Sequence, residues 1–401
     1  MSSRLLSRSD DLQRLVAEGY EIAFRSHMLF VRVPYVTTDA SVAWGHLVTP
    51  IDVDADRTGR PTDHTIRFVG ESNAAGDYPC NSAGQPLSDV INDSNPVPIA
   101  EGFIASCSFS HKPLSGQYED YFEKVTSYVE ILLEEVHGID SSIDPRTFGP
   151  IAVDEEESVH RYFDSATSRA KIGAVSAKTA NERVGIIGVG GTGAYILDAV
   201  SKTHAAEIHL FDPDVFETHN AFRAPGAATL ESLRERPLKV DYHRASYDAM
   251  YARITAHPEA VTAGNADMLR GLTFVFVAID AGPTKRAIVE KLLEFGVPFA
   301  DSGMGVDQVG DSLGGMIRTT RPAIATVDNE WVDETFSFAA EGDDEYDQNI
   351  QIAELNMLAA SLAVIAWKKQ IGFYRDFGQE IESIYIIDGN RISNEAPSDD
   401  D

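Results

Sequence analysis

Residues 184–193 read VGIIGVGGTG, and the fold turns on them. An apolar run closes on Gly188, Gly190, Gly191 and Gly193, and AYILDAVSK (194–202) continues with helical spacing. Glycine lets the backbone turn tightly and approach phosphate oxygens, while the first turn of the following helix offers unpaired N–H groups and the positive end of a dipole. A strand before the G-x-G-x-x-G pattern and a helix after it make this a nucleotide-binding turn. The turn alone suits a dinucleotide as well as ATP.

Working outward, EIHLFD (207–212), LTFVFVAID (272–280) and VPFADSG (297–303) are short apolar runs of the kind buried on both faces of a parallel sheet. Helical patterns such as TKRAIVEKLLEFG (284–296) lie between them. The region from 151 to 392 is therefore expected to be a doubly wound α/β, Rossmann-like domain. The stretch 350–374 is apolar on most faces, which predicts a helix packed against the sheet or a second subunit.

Asp212 ends the second strand about 20 residues past the last glycine, where a carboxylate accepts ribose hydroxyls of NAD or ATP alike. The loop DPDVFETHNAFRAPG (212–226) then supplies Asp214, Asn220 and Arg223, and Lys239 follows. A nicotinamide site has no need of two cations beyond the ribose. A triphosphate does, because charge-assisted bonds from Arg and Lys are the strong ones. Asp280, at the carboxyl end of LTFVFVAID, stands where a carboxylate can hold Mg2+ against phosphates.

In this order these elements resemble the adenylation domain of the ubiquitin-activating-enzyme superfamily (ThiF, MoeB and HesA). GVGGTG is similar to its phosphate loop, Asn220-Ala-Phe-Arg223 to its Asn-x-x-Arg, Lys239 to its nucleotide lysine and Asp280 to its magnesium aspartate. The resemblance implies ATP and Mg2+, a homodimer, and adenylation of the carboxy-terminal glycine of a ubiquitin-like protein. It also implies a further arginine from before the first strand, for which Arg169 is the choice over Arg161. The family's paired Cys-x-x-Cys motifs are absent, so no zinc is expected. No cysteine follows Cys107, so any acyl acceptor would lie in the amino-terminal half, in a partner or on a hydroxyl. Cys80, in the loop GDYPCNSAGQP, is the candidate, with exposure expected.

Residues 1–150 form a different pattern. Ser9 is placed to cap a short helix ended by Gly19, strands are expected in 28–36, 64–70 and 102–110, and 117–138 is an amphipathic helix. This is a separate α+β domain for partner recognition, joined through a polar linker at 138–157. In HTIRFVGE (64–71), YPC (78–80) and SFSHKP (108–113) it is similar to an uncharacterised domain of bacterial activating enzymes encoded beside ubiquitin-like and conjugating-enzyme-like proteins, which implies a partner, either the ubiquitin-like protein or a conjugating-enzyme-like factor. SCSFSHKP (106–113) gathers Ser108, Ser110, His111 and Lys112 at a strand end, where a polar terminus is expected rather than a catalytic Ser–His pair. The segment 393–401 reads as a disordered acidic tail.

With 63 Asp and Glu against 33 Lys and Arg, nucleic acid and anionic membrane are not expected partners. No signal-peptide core or membrane-length apolar run is visible, so a cytoplasmic protein is expected. Competing readings are adenylation of a small peptide or a tRNA base, a NAD-dependent oxidoreductase, and a non-catalytic scaffold of the same fold. Asn220, Arg223 and Lys239 oppose the oxidoreductase, and the intact Arg223 and Asp280 oppose the scaffold.

Overall fold

In the computed structural model the described residues are 5–6, 8–25, 28–54, 57–74, 76–100, 102–150, 158–162, 164–170, 172–280, 282–322, 332, 336 and 350–395. The chain divides into two compact units, 1–173 and 174–401.

The amino-terminal unit is an antiparallel sheet in the order β1–β2–β3–β6–β10–β7, from β1 (Ile22–Arg25), β2 (Met28–Val36), β3 (Val42–Pro50), β6 (Thr65–Val69), β7 (Ile91–Asp93) and β10 (Cys107–Ser110). Two small hairpins accompany it: β4 (Val53–Asp54) with β5 (Arg57–Thr58), and β8 (Val97–Ala100) with β9 (Phe103–Ala105). The helix Tyr121–His137 packs on β2 and buries Tyr121, Val125, Tyr128, Val129 and Leu132 in one core with Leu29, Val31, Val33 and Phe68. The Asp120 carboxylate caps it by accepting the Glu123 N–H at 2.7 Å.

Several details differ from the sequence reading. Ser9 occupies the cap position of the helix Asp10–Glu18 but makes no capping bond; its hydroxyl donates to the Leu5 carbonyl and accepts the Thr58 N–H. Residues 102–110 are two strands broken at Ser106, not one. β3 escaped notice because Trp44, Gly45, His46 and Pro50 blur its apolar alternation. Part of the expected linker is built into this unit: Phe148 donates its N–H to the Gly19 carbonyl, and its ring covers Gly19. Residues 151–157 of that linker lie outside the described residues.

The carboxy-terminal unit is an eight-stranded sheet in the order β13–β12–β11–β14–β15–β16–β17–β18. Its strands are β11 (Arg183–Ile187), β12 (Glu207–Phe211), β13 (Ile254–His257), β14 (Phe274–Val277), β15 (Phe299–Val309), β16 (Ser312–Thr320), β17 (Glu382–Ile386) and β18 (Arg391–Glu395). Pairing is parallel from β13 through β15 and antiparallel from β15 to β18. The chain leaves β11 toward β12 and β13, then returns to place β14 on β11's other side. That reversal opens a crevice at the carboxyl ends of β11 and β14, where doubly wound sheets bind ligands. The helix expected within 350–374 spans Ala353–Gln370 and packs against the helix Thr192–Val200 and against β15 and β16. The expected tail begins too early at 393: residues 393–395 belong to β18, and 396–401 are outside the described residues.

Candidate functional site

The glycine turn occupies that crevice. Gly188 has φ +84°, and a Cβ there would stand 2.5 Å from the Ala278 carbonyl oxygen, so only glycine admits the turn between β11 and β14. A Cβ on Gly193 would overlap the Gly188 carbonyl, which lets the helix Thr192–Val200 sit directly on the strand end. Gly190 faces open space, and the nearest side-chain atom to its Cβ position is Arg223 Nη2, at 3.8 Å.

Arg223 reaches this point because the loop after β12 is firmly built. Asp212 is buried, and its two oxygens accept the N–H groups of Val189 and Asp214, both at 2.9 Å, which ties the glycine turn to the loop. An isolated bridge between Val215 and Leu238, with Lys239 N–H donating to the Asp214 carbonyl, brings the helix Lys239–Tyr247 alongside. Phe216 is sandwiched there on Tyr242, ring centres 3.8 Å apart. Lys239 Nζ consequently lies 2.6 Å from Asp214 Oδ2 and 3.6 Å from Asp212 Oδ1, its side chain buried. Asp214 is largely exposed, so its carboxylate is the one that meets solvent.

Asn220, in the short helix Thr218–Ala221, is fully buried; its Oδ1 accepts the Glu217 N–H and its Nδ2 has no hydrogen-bond partner. Arg223 Nε is likewise buried and unpaired. Burial pushes the Arg223 guanidinium down from its ordinary value, and the Asp280 carboxylate acts in the opposite sense, so the two charges feel one another across the crevice. Asp280 itself is exposed beyond the end of β14. Beneath the turn, burial drives His243 down to about 4, a hydrogen bond with the Val189 backbone opposes this, and Lys239 adds to it; the ring is neutral.

The turn, Asp212, Asp214, Asn220, Arg223, Lys239 and Asp280 thus share one end of the sheet. Arg169 falls in the helix Ser165–Ala170, and its side chain lies outside the described residues. Cys80 is not exposed: it is buried, bridged to Val36 and Pro86, and burial together with the Asp77 carboxylate raises its thiol. A buried, protonated thiol lacks the accessible thiolate of an acyl acceptor. Cys107 is buried as well, pushed up to about 12. Ser110 meets His64 at 3.1 Å rather than His111, whose ring turns to Tyr118. The adjoining Asp63 carboxylate is taken up by the Thr65 N–H and hydroxyl. Two residues escaped the sequence reading: His243 and Asn356, the latter covering Gly191 from the helix Ala353–Gln370. Asn356 sits in an apolar helix and His243 in the polar helix KVDYHRASY (239–247), neither within a motif.

Fold and crevice define a doubly wound nucleotide-binding domain. Residues 168–365 match the ThiF family, so the carboxy-terminal half is a ThiF-family domain, of the ATP-dependent adenylyltransferase class; residues 10–165 match a domain of unknown function, DUF6791. Among solved structures, Escherichia coli MccB with MccA-N7isoASN is 14% identical, with 58% of this chain and 69% of that one covered and a TM-score of 0.48. PaaA is 17% identical, with 56% and 75% covered and a TM-score of 0.44. No curated protein sequence matches the chain. Among the described residues no helix is long and apolar enough to cross a membrane.

Proposed function

We propose that this chain adenylates the carboxy-terminal glycine carboxylate of a ubiquitin-like protein, using Mg-ATP. The observation that carries the reading is Arg223: its guanidinium stands over Gly190 with Nε buried and unpaired, a cation held ready at a backbone phosphate cradle. Unpaired amide and guanidinium donors fit a triphosphate, which brings many acceptor oxygens.

A carboxylate oxygen attacks the α-phosphorus, the bond to the bridging oxygen breaks, and pyrophosphate leaves with that electron pair; the product is an acyl-adenylate. The protein contributes position and charge neutralisation. Gly188, Gly190, Gly191 and Gly193 form the cradle, while Arg223 and Asn220 donate to phosphate oxygens. The ribose role expected of Asp212 passes to Asp214, because Asp212 is buried with both oxygens already accepting the Val189 and Asp214 N–H groups, whereas Asp214 is largely exposed. Lys239, expected at the phosphates, is instead held between these two carboxylates. Asp280 would hold Mg2+, which lowers the charge on the phosphates when bound; among the described residues no group of three or more His, Cys, Asp or Glu forms a metal site. Arg169, a homodimer, a conjugating-enzyme-like partner for residues 1–150 and a cytoplasmic location rest on the sequence reading and belong to the same proposal.

ATP–pyrophosphate exchange tests it. Exchange should need an added ubiquitin-like protein and fall at least ~100-fold in Arg223→Ala and Asp280→Ala. Equal exchange in the variants refutes the site, and exchange driven by a short peptide instead moves the substrate to that class.

A further inference from the structure

The helix Ala353–Gln370 carries one polar side chain that its pattern does not explain. Asn356 is completely buried on the face shared with Ala359, Ala360 and Ala363. Its Oδ1 accepts the Thr192 hydroxyl at 2.8 Å, and its carboxamide occupies the space that a side chain on Gly191 would need. Its Nδ2 has no hydrogen-bond partner. Burying a donor unpaired is unfavourable, and an alanine or leucine here would avoid it. The same feature recurs at the same turn: Arg223 Nε is also buried and unpaired, and its guanidinium stands at Gly190. Two side chains with unpaired N–H donors, set against neighbouring glycines of one turn, call for a group rich in acceptors.

We propose that Asn356 is a further nucleotide-binding residue, its Nδ2–H donating to a phosphate oxygen of a nucleotide held at Gly190 and Gly191. The Thr192 hydroxyl fixes the carboxamide by its oxygen and so keeps the nitrogen as the free end. The contact ties phosphate binding to the start of the long helix, far along the chain from the turn. This inference rests on the ATP reading above and extends it to a residue outside the matching motifs.

The test is calorimetric binding of ATP and of adenosine to the full chain, with unfolding temperatures recorded in parallel. Asn356→Asp keeps an oxygen for Thr192 and turns the donor into a carboxylate facing phosphate; Asn356→Ala removes the amide and serves where the aspartate variant does not fold. ATP affinity should fall about tenfold or more in either folded variant, with adenosine affinity unchanged. Folded variants that bind ATP as tightly as the wild type, or that lose adenosine and ATP equally, overturn the assignment. Arg223→Ala separates the two levels: if it too binds ATP like the wild type, or the wild type binds none, the ATP reading itself fails.

Discussion

His243 shows how much of the site is set by single buried groups. It lies under the glycine turn, and burial, reinforced by Lys239, holds it at about 4 against an ordinary 6.5. The folded-state value is the lower one, so the unfolded chain takes up the proton first as pH falls. The neutral ring's contribution is complete above the unfolded value and is lost between it and about 4. His243→Gln removes the titration, and its unfolding temperature should fall less than the wild type's between pH ~7 and ~5. Parallel losses in the two proteins would mean that other groups control acid stability. Glycine acts at the same scale: Gly188 and Gly193 permit close backbone approach, whereas Gly191 makes room for the Asn356 side chain.

Between elements, the helix Pro283–Phe295 is fastened to β15 by a buried ion pair, Lys285 Nζ to Asp301 Oδ1 at 2.5 Å. Burial raises the Asp301 carboxyl, and the Lys285 ammonium works against that rise. Removing one partner leaves a charge or a polar group buried alone, so Lys285→Met or Asp301→Ala should each cost about 3–5 kcal/mol in urea unfolding. The double variant should lose less than the two singles together. Additive losses would show that the pair does not act as a unit. Because this helix begins just after Asp280, a weakened pair should also loosen the proposed metal position.

For the whole molecule, the formal net charge of −30 at pH 7 makes self-repulsion a general destabilising force. The unfolding temperature should therefore rise with NaCl and level off as the screening length falls to about 8 Å near physiological salt. A steady fall with salt would mean instead that ion pairs such as Arg321–Asp376 and Lys369–Glu380 dominate. The glycine turn, Arg223, Lys239 and the acidic residues of the proposed site lie in the 174–401 unit, whereas Arg169 belongs to the 1–173 unit.

The sequence determined the Rossmann-like turn, the run of parallel strands and the ThiF character, because each is written locally as an apolar run, a glycine spacing or a side chain a few residues from a strand end. The positions of β3, β13 and β16–β18 were not legible: β13, β17 and β18 are short, and the nine-residue β3 and β16 carry Gly and polar residues that break a distinctive period. Tertiary structure alone decided which groups are buried and which distant ones meet. It closed Cys80 from solvent, held Lys239 between two carboxylates and set Asn356 against Gly191. Burial and unpaired donors arise from packing between segments far apart in the chain, and no local pattern encodes them.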